Sequence, residues 1–310
     1  MIELRQLRAL LALEDFKSFS LAASSLNTVQ SNISAHLARL EETVGATLID
    51  RRTGELTIEG KAVSLRARRL LAELEAIDSD ISALRDDVRG RVRVGMIGTV
   101  ARWFIPPLIN EINIRHPNLK VEVAEGTTTT LENRVLSNAF EFAIMTRPNN
   151  TDELYFDAAF EEELVLICPK DSTLAHKGVV TLDDLDSIPL LLPPKGTQFR
   201  DQIELIAAQG GVNLVPKAEI DGVRLLASMA FDGFAPTIAP STAIPDFMIP
   251  RLGICKVIGI PRRRVGVARR KRAAHSAAAK TLLELIDEFF SSEVLANKYG
   301  LPDGVLPLQS

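Results

Sequence analysis

Two sets of side chains in this 310-residue chain have types and spacings suited to molecular recognition. The first runs from Thr28 to Arg52. Gln30, Ser31, Ser34 and Ala35 lie to one side of a helix expected from about Val29 to Thr43, away from the apolar steps Ile33, Leu37, Leu40 and Val44. A face of small and amide side chains fits a DNA major groove. There a Gln makes paired hydrogen bonds to adenine, worth about 1–3 kcal/mol of discrimination. Thr28, Asn32 and Arg39 suit phosphates, which fix position rather than sequence. The second set lies where expected strands end: Gly98, Thr99 and Val100; Thr127 and Thr128; Thr146 and Arg147; Lys195, Thr197 and Phe199; and Phe234. Hydroxyls, backbone N–H groups and basic side chains at strand ends favour a small anion such as a carboxylate.

The elements that must hold the first set are helical. Leu4, Leu7, Leu10 and Leu11 recur at helical spacing. Ser18 or Ser20 can cap a second helix, in which Ala22 and Ala23 permit close crossing. Asn27 and Thr28 suit a turn and cap, and Gly45 a helix end. This is the layout of a helix-turn-helix reader, although the same periodicity suits an ordinary helical hairpin. Charge does not separate the two. Residues 1–72 carry ten Lys/Arg and eight Asp/Glu, a net of +2 against −6 for the remainder, which is weak for a nucleic-acid domain.

Behind the reader, Val63, Ala67, Leu70, Leu74, Ile77, Ile81, Leu84 and Val88 alternate in steps of four and three with no Gly or Pro between. So narrow a seam suits a partner helix, and a core helix of the same chain is the alternative. A symmetric dimer predicts pseudo-palindromic half-sites about 34 Å apart or a multiple of it.

From Gly90 onward, strand and helix signals alternate. Strands are expected at 91–97, 119–125, 142–146, 164–168, 189–192, 217–220, 234–238 and 264–268. Helices are expected at 106–115, 131–138, 198–209, 223–231 and 277–290. The alternation implies mostly parallel sheets with helices on both faces, long enough for two lobes. The clusters Arg262–Arg264 and Arg269–Arg272 could form a second DNA surface, but Arg264, Gly266 and Ala268 alternate with Val265 and Val267 as on a strand, with Arg269–Arg272 in the exposed turn after it, and 301–310 reads as a surface tail.

Residues 1–88 resemble the N-terminal region of LysR-type transcriptional regulators. The matches are Leu4, Leu7, Phe19, Ala22, Ala23, Leu26, Gln30, Ser31, Ile33, Ser34, Leu37, Arg39, Leu40, Glu41, Gly45, Leu48, Arg51, Leu56, Thr57 and Gly60. The likeness continues more weakly to about residue 290. It implies an α+β multidomain fold: a winged helix-turn-helix over 1–58, a dimerising linker helix over 59–89, and an effector-binding domain over 90–310. That last domain would be a two-lobed α/β fold like periplasmic binding proteins, with lobe 1 at about 90–161 and 268–300 and lobe 2 at about 162–267. Leu48–Ile58 would form the wing, with Arg51 and Arg52 near the phosphate backbone. Val63, Leu70, Leu74, Ile77, Ile81 and Leu84 would pair two subunits. Thr99, Thr127 and Thr197 match common effector-contact positions. The resemblance further implies promoter DNA and RNA polymerase as partners, a pair of dimers that bends DNA, and a bacterial cytoplasmic location. No cofactor beyond a small effector is implied. Three positions depart from the pattern: Asn32 where small residues are common, Ala35 for a frequent Arg, and Ile49 for a frequent Phe.

Nothing in the sequence supplies a catalytic set. Cys168 and Cys255 are 87 positions apart, unlike the close pairs of peroxide-sensing relatives, and low cysteine use fits a reducing compartment. His36, His116, His176 and His275 show no metal-ligand spacing and neighbour no Ser or Cys nucleophile. There is no phosphate-binding glycine loop and no apolar run of about 18 residues. The start of the chain does not read as a signal peptide, which weighs against a secreted binding protein. The rival reading is a small-molecule enzyme on a binding-protein-like fold.

Overall fold

A computed structural model describes residues 1–84, 87–273, 275–291 and 298–308. The reading head comprises α1 (Leu4–Phe16), α2 (Phe19–Ser25), α3 (Gln30–Val44), β1 (Ile49–Asp50) and β2 (Glu55–Leu56). Ser18 caps α2 by accepting from the Leu21 amide at 3.4 Å. Asn27 takes a left-handed φ of 51° in the turn, and α3 ends at Gly45 with φ 73°. Ile33, Leu37 and Leu40 are buried against α1 and Leu48, whereas Val44, the fourth expected core position, stays part-exposed.

Helix α4 (Ile58–Ala83) leaves the head from Thr57, whose hydroxyl accepts from the Gly60 amide at 3.0 Å. A Cβ at Gly60 would lie 2.0 Å from the Leu48 carbonyl oxygen, so only glycine lets the helix start this close to the wing. Arg68 holds α4 to α1 through Glu14 at 2.6 Å and Asp15 at 2.5 Å. The helix ends six residues short of the expected 89. Residues 85 and 86 lie outside the described residues.

Past α4, one six-stranded sheet is built from β3 (Gly90–Ile97), β4 (Leu119–Gly126), β5 (Phe142–Thr146) and β6 (Leu154–Glu162). It carries α5 (Gly98–Arg115) and α6 (Thr128–Leu136). The second sheet holds β7 (Leu164–Pro169), α7 (Thr173–Lys177), β8 (Val179–Val180), β9 (Pro189–Leu192), α8 (Gln198–Gln209), β10 (Val215–Glu219), α9 (Val223–Phe231), β11 (Thr237–Pro240) and β12 (Leu252–Val257). The chain then returns to the first sheet through β13 (Arg263–Arg270), α10 (Ala277–Ser291) and β14 (Val305–Pro307). The strand orders are β14-β6-β13-β5-β3-β4 and β10-β9-β11-β7-β12-β8.

Several expectations need correction. Among the described residues, five strand pairings are parallel and five antiparallel, so the sheets are mixed rather than mostly parallel. The antiparallel pairings centre on β6, β7, β12 and β13, where the chain passes between sheets. An expected second lobe reaching 267 would cut through β13, which begins at Arg263 and belongs to the first sheet. The expected return over 268–300 also includes 274 and 292–297, outside the described residues. Helix α5 starts at Gly98, eight residues before the expected Pro106, and carries Pro106 and Pro107 internally. The segment expected to be a surface tail contains β14, paired antiparallel to β6. Each sheet has its own core: Phe104, Phe142, Phe160 and Phe289 fill the first, and Leu166, Leu190, Ile203 and Cys255 lie in the second.

Candidate DNA-reading face and effector cleft

On α3, Gln30, Ser31, Asn32, Ser34, Ala35 and Arg39 are exposed, opposite the buried stripe. The Asn32 side-chain amide donates to the Thr28 hydroxyl at 2.9 Å, which pins the first turn of the helix to the turn before it. Glu41, near the far end of α3, accepts from the Leu48 and Ile49 amides at 2.8 and 3.3 Å and from Arg51 at 3.4 Å. One carboxylate thus ties the wing strand to the recognition helix. Arg51 remains 72% exposed and shares a small recess with Gln30 and Ser34. Arg52 is exposed beside it.

Along α4, the first seam residues serve the head: Ala67 is buried and Val63 packs on the head core. The later ones do not. Leu70, Leu74, Ile77 and Ile81 are 45, 38, 51 and 50% exposed, and Leu84 is exposed beyond the helix end. Ser79 and Asp80 accept from the amides of Ala278 and Ala277 at 2.9 and 2.8 Å, so the far end of α4 caps the start of α10.

A cleft of about 860 Å³ lies between the two sheets. The starts of α5, α6, α8 and α9 all reach it, at Gly98, Thr128, Gln198 and Val223. Helix N-termini carry free N–H groups and partial positive charge. Of the residues expected there, Gly98, Thr99, Thr127, Thr128, Thr146, Arg147, Thr197 and Phe199 line the cleft. Val100, Lys195 and Phe234 do not. Val100 falls inside α5 because the helix starts early, and it is fully buried in the first core. Lys195 is exposed on the turn before α8. Phe234 precedes β11, which runs parallel to β9, so its loop enters the strand at the end opposite the cleft. Its carbonyl accepts from Lys217 at 2.6 Å.

Arg224, Arg262, Arg263 and Arg264, with Glu125, Glu161, Gln198 and Gln202, also line the cleft. Arg263 is the central one. Its guanidinium bonds Glu162, with Nε at 2.6 Å, donates to the Thr99 hydroxyl at 2.9 Å, and lies 5.6 Å from the Phe199 ring centre. Glu162 also accepts from the Thr242 hydroxyl at 2.7 Å. Arg263, which the sequence left unassigned, is buried. Strand alternation held the signal: residue 263 shares the face of Val265 and Val267. Arg270, expected in an exposed turn, is a β13 residue that donates to the carbonyls of Val135 and Phe140 at 2.6 and 3.0 Å.

The lobes are tied across the cleft. Arg224 of α9 meets Glu125 of β4 at 2.8 Å. A relay runs from Thr128 to Thr146 at 2.6 Å and on to Gln198 at 3.0 Å. Gln198 donates back to the Arg147 carbonyl at 2.8 Å. Arg102 of α5 reaches the carbonyls of Thr242 and Ile244 at 3.0 and 2.8 Å, and its burial lowers its pKa.

Cys168 and Cys255 stand on the adjacent strands β7 and β12, two register positions apart, despite their sequence separation. Both are fully buried. Burial, with Cys168 alongside, pushes the Cys255 thiol up to about 11. Such a thiol is a poor nucleophile at neutral pH.

The geometry has close counterparts. Residues 4–61 match the family described as "Bacterial regulatory helix-turn-helix protein, lysR family", and residues 85–291 match "LysR substrate binding domain". A "Probable hydrogen peroxide-inducible genes activator" of Mycobacterium leprae is 31% identical over 93% of this chain and 94% of its own. A solved full-length variant of OxyR from Pseudomonas aeruginosa superposes with a TM-score of 0.71 at 20% identity, covering 100% of this chain and 99% of its own. Full-length CbnR, solved with its target DNA, gives 0.66 at 22% identity, covering 92% and 98%. No described helix is long and apolar enough to cross a membrane. The family consists of regulators rather than enzymes, and the head, linker and two-lobed effector domain place this chain within it: the protein belongs to the LysR family of DNA-binding, ligand-responsive transcriptional regulators.

Proposed function

We propose that the protein binds pseudo-palindromic promoter sites as a dimer of dimers in the bacterial cytoplasm, and that a small anion in the inter-lobe cleft changes its contacts with DNA or the DNA bend. The observation that carries the effector class is the convergence of four helix starts and a cluster of arginines on one cleft. A carboxylate or similar small anion suits that field. Thr99, Thr127, Thr128, Arg147 and Thr197 are the contacts proposed from sequence, with Arg224 and Arg262–Arg264 added by geometry.

On the DNA side, Gln30, Ser31 and Ser34 read bases, with Ala35 packing closely. Thr28, Asn32, Arg39, Arg51 and Arg52 hold phosphates. The exposed half of the α4 seam pairs two heads, and the α4–α10 cap gives lobe movement a path to that seam. RNA polymerase is the proposed downstream partner. Coupling of this kind is worth about 1–3 kcal/mol.

The Mycobacterium leprae relative's name suggests peroxide as the signal. The buried, high-pKa Cys255 and buried Cys168 count against a thiol sensor of that signal in this chain.

The test is a promoter-binding and reporter assay with Thr99→Ala and Thr127→Ala, run against a panel of small carboxylates. The expected result is lost effector response with DNA affinity retained. Full response in both variants removes the cleft assignment.

A further inference from the structure

We infer that residues 303–308 form a strap across the hinge, limiting how far the two lobes move around the cleft. Among the described residues, the lobes are joined by two chain crossings: one at Glu163, between β6 and β7, and one over 258–262, between β12 and β13. Relative movement of lobes is absorbed at a few residues in such crossings. The strap holds both. The Gly304 carbonyl accepts from the Glu163 amide at 2.9 Å, on the first crossing. It also accepts from the Arg262 guanidinium at 3.0 Å, on the second. A third bond reaches into the second lobe, where the Ser241 hydroxyl donates to the Asp303 carbonyl at 2.9 Å.

The strap is itself anchored in the first lobe. Val305 pairs with Glu162 and is buried in the first core, and the Leu308 amide donates to Ala159 at 2.9 Å. A segment fixed to one lobe that also bonds both crossings and the other lobe must give way when the lobes rotate.

The local sequence fits this use. Gly304 has φ +83°, and a Cβ there would meet the Ser241 Oγ at 2.6 Å and the Glu163 Cβ at 3.2 Å. A side chain would therefore pry the strap off both the crossing and the second lobe. Arg262 also lines the cleft, so whatever engages it there acts on a residue the strap also holds. In that respect the inference rests on the effector reading above. The stiffness of the hinge does not.

The test uses the full chain carrying spin labels at Asn133→Cys on α6 and Leu205→Cys on α8, both exposed and on opposite lobes. The two native thiols are buried and stay unlabelled. Excess unlabelled protein isolates distances within one chain. Three forms are compared without ligand: the full chain, a chain ended after Pro302, and Gly304→Val. The expected result is an inter-lobe distance distribution about twofold broader in the shortened chain, with a smaller change in the same direction for Gly304→Val. If shortening prevents folding, Gly304→Val decides alone. Unchanged distributions in folded, DNA-binding variants overturn the strap. Loss of the effector assignment through Thr99 and Thr127 would leave the distance result standing, so the two failures are told apart.

Discussion

In the head, Gln30, Ser31, Ser34 and Ala35 stand exposed on a single helix, whereas the cleft draws its arginines from three separate segments and most of them already hold partners. Arg224 sits on Glu125, Arg264 on Glu161 and Arg263 on Glu162. The contrast follows from what each region meets. DNA brings its own dense negative charge, so a nearly neutral face that also carries Arg51 and Arg52 can wait in water. Arg263, 6% exposed, is withdrawn from water, where an unpaired charge is costly, whereas Arg224 and Arg264 stay 50 and 66% exposed. The anion proposed as effector would therefore meet an Arg263 already paired with Glu162 rather than an unpaired seat.

The proposed pairing seam offers the largest test of this contrast, because pairing there would turn one exposed reading face into two. Leu74→Asp with Ile81→Asp places charge on residues that are 38 and 50% exposed in one chain, so the fold should survive. Light scattering should report a smaller assembly, and promoter affinity should fall about 100-fold or more as the second head loses its effective concentration. An unchanged oligomer would mean that the stripe is not where subunits pair, and the head would have to read DNA by another arrangement.

The same contrast governs how much was legible. The head and seam are written in local periodicity, so Ile33, Leu37 and Leu40 identify the buried stripe and, by exclusion, the reading face. Helices α8 and α9 and strands β5 and β9 fall where their patterns place them. Strand β6 was invisible. Its register skips Ala159 between the partners of Val265 and Gly266, and that bulge spoils the alternation in Leu154–Glu162. Without β6, Glu162 could not be named as the partner of Arg263, so the burial of that arginine was not legible. Pro106 and Pro107 look like a helix start, and they hid the true start of α5 at the cleft. The cysteines teach the same lesson. A separation of 87 positions says nothing about two strands that pair antiparallel.

Next in size are changes that set core demand against reading demand. Glu162→Leu leaves the Arg263 guanidinium buried without its carboxylate, and loss of one partner of such a pair costs about 3–5 kcal/mol. Urea unfolding of the effector domain in the full chain should show that loss, while the head keeps its DNA affinity. Equal stability would mean water or another group satisfies Arg263 and would weaken the claim that cleft charges are pre-paired. In the head, Gly60→Ala should cost about 1–3 kcal/mol, because its Cβ would lie 2.0 Å from a backbone oxygen that flexible side chains cannot move aside. That loss should appear in the head's unfolding alone.

The smallest expected effects separate the two roles assigned on the reading face. Gln30→Ala should cost about 1–3 kcal/mol at the preferred site and much less at scrambled DNA, flattening specificity. Arg52→Ala should weaken both sites alike and lower the salt slope of binding by about one per subunit. Arg51 is the informative control. It already touches Glu41 at 3.4 Å, so Glu41→Gln loosens its hold without removing its charge. If Arg51 serves phosphate from a fixed wing, Glu41→Gln weakens binding while the salt slope stays the same. A lowered slope in that variant would instead mean that Glu41 matters through the number of phosphates held, and the division between a bare reading face and a pre-paired cleft would no longer be clean.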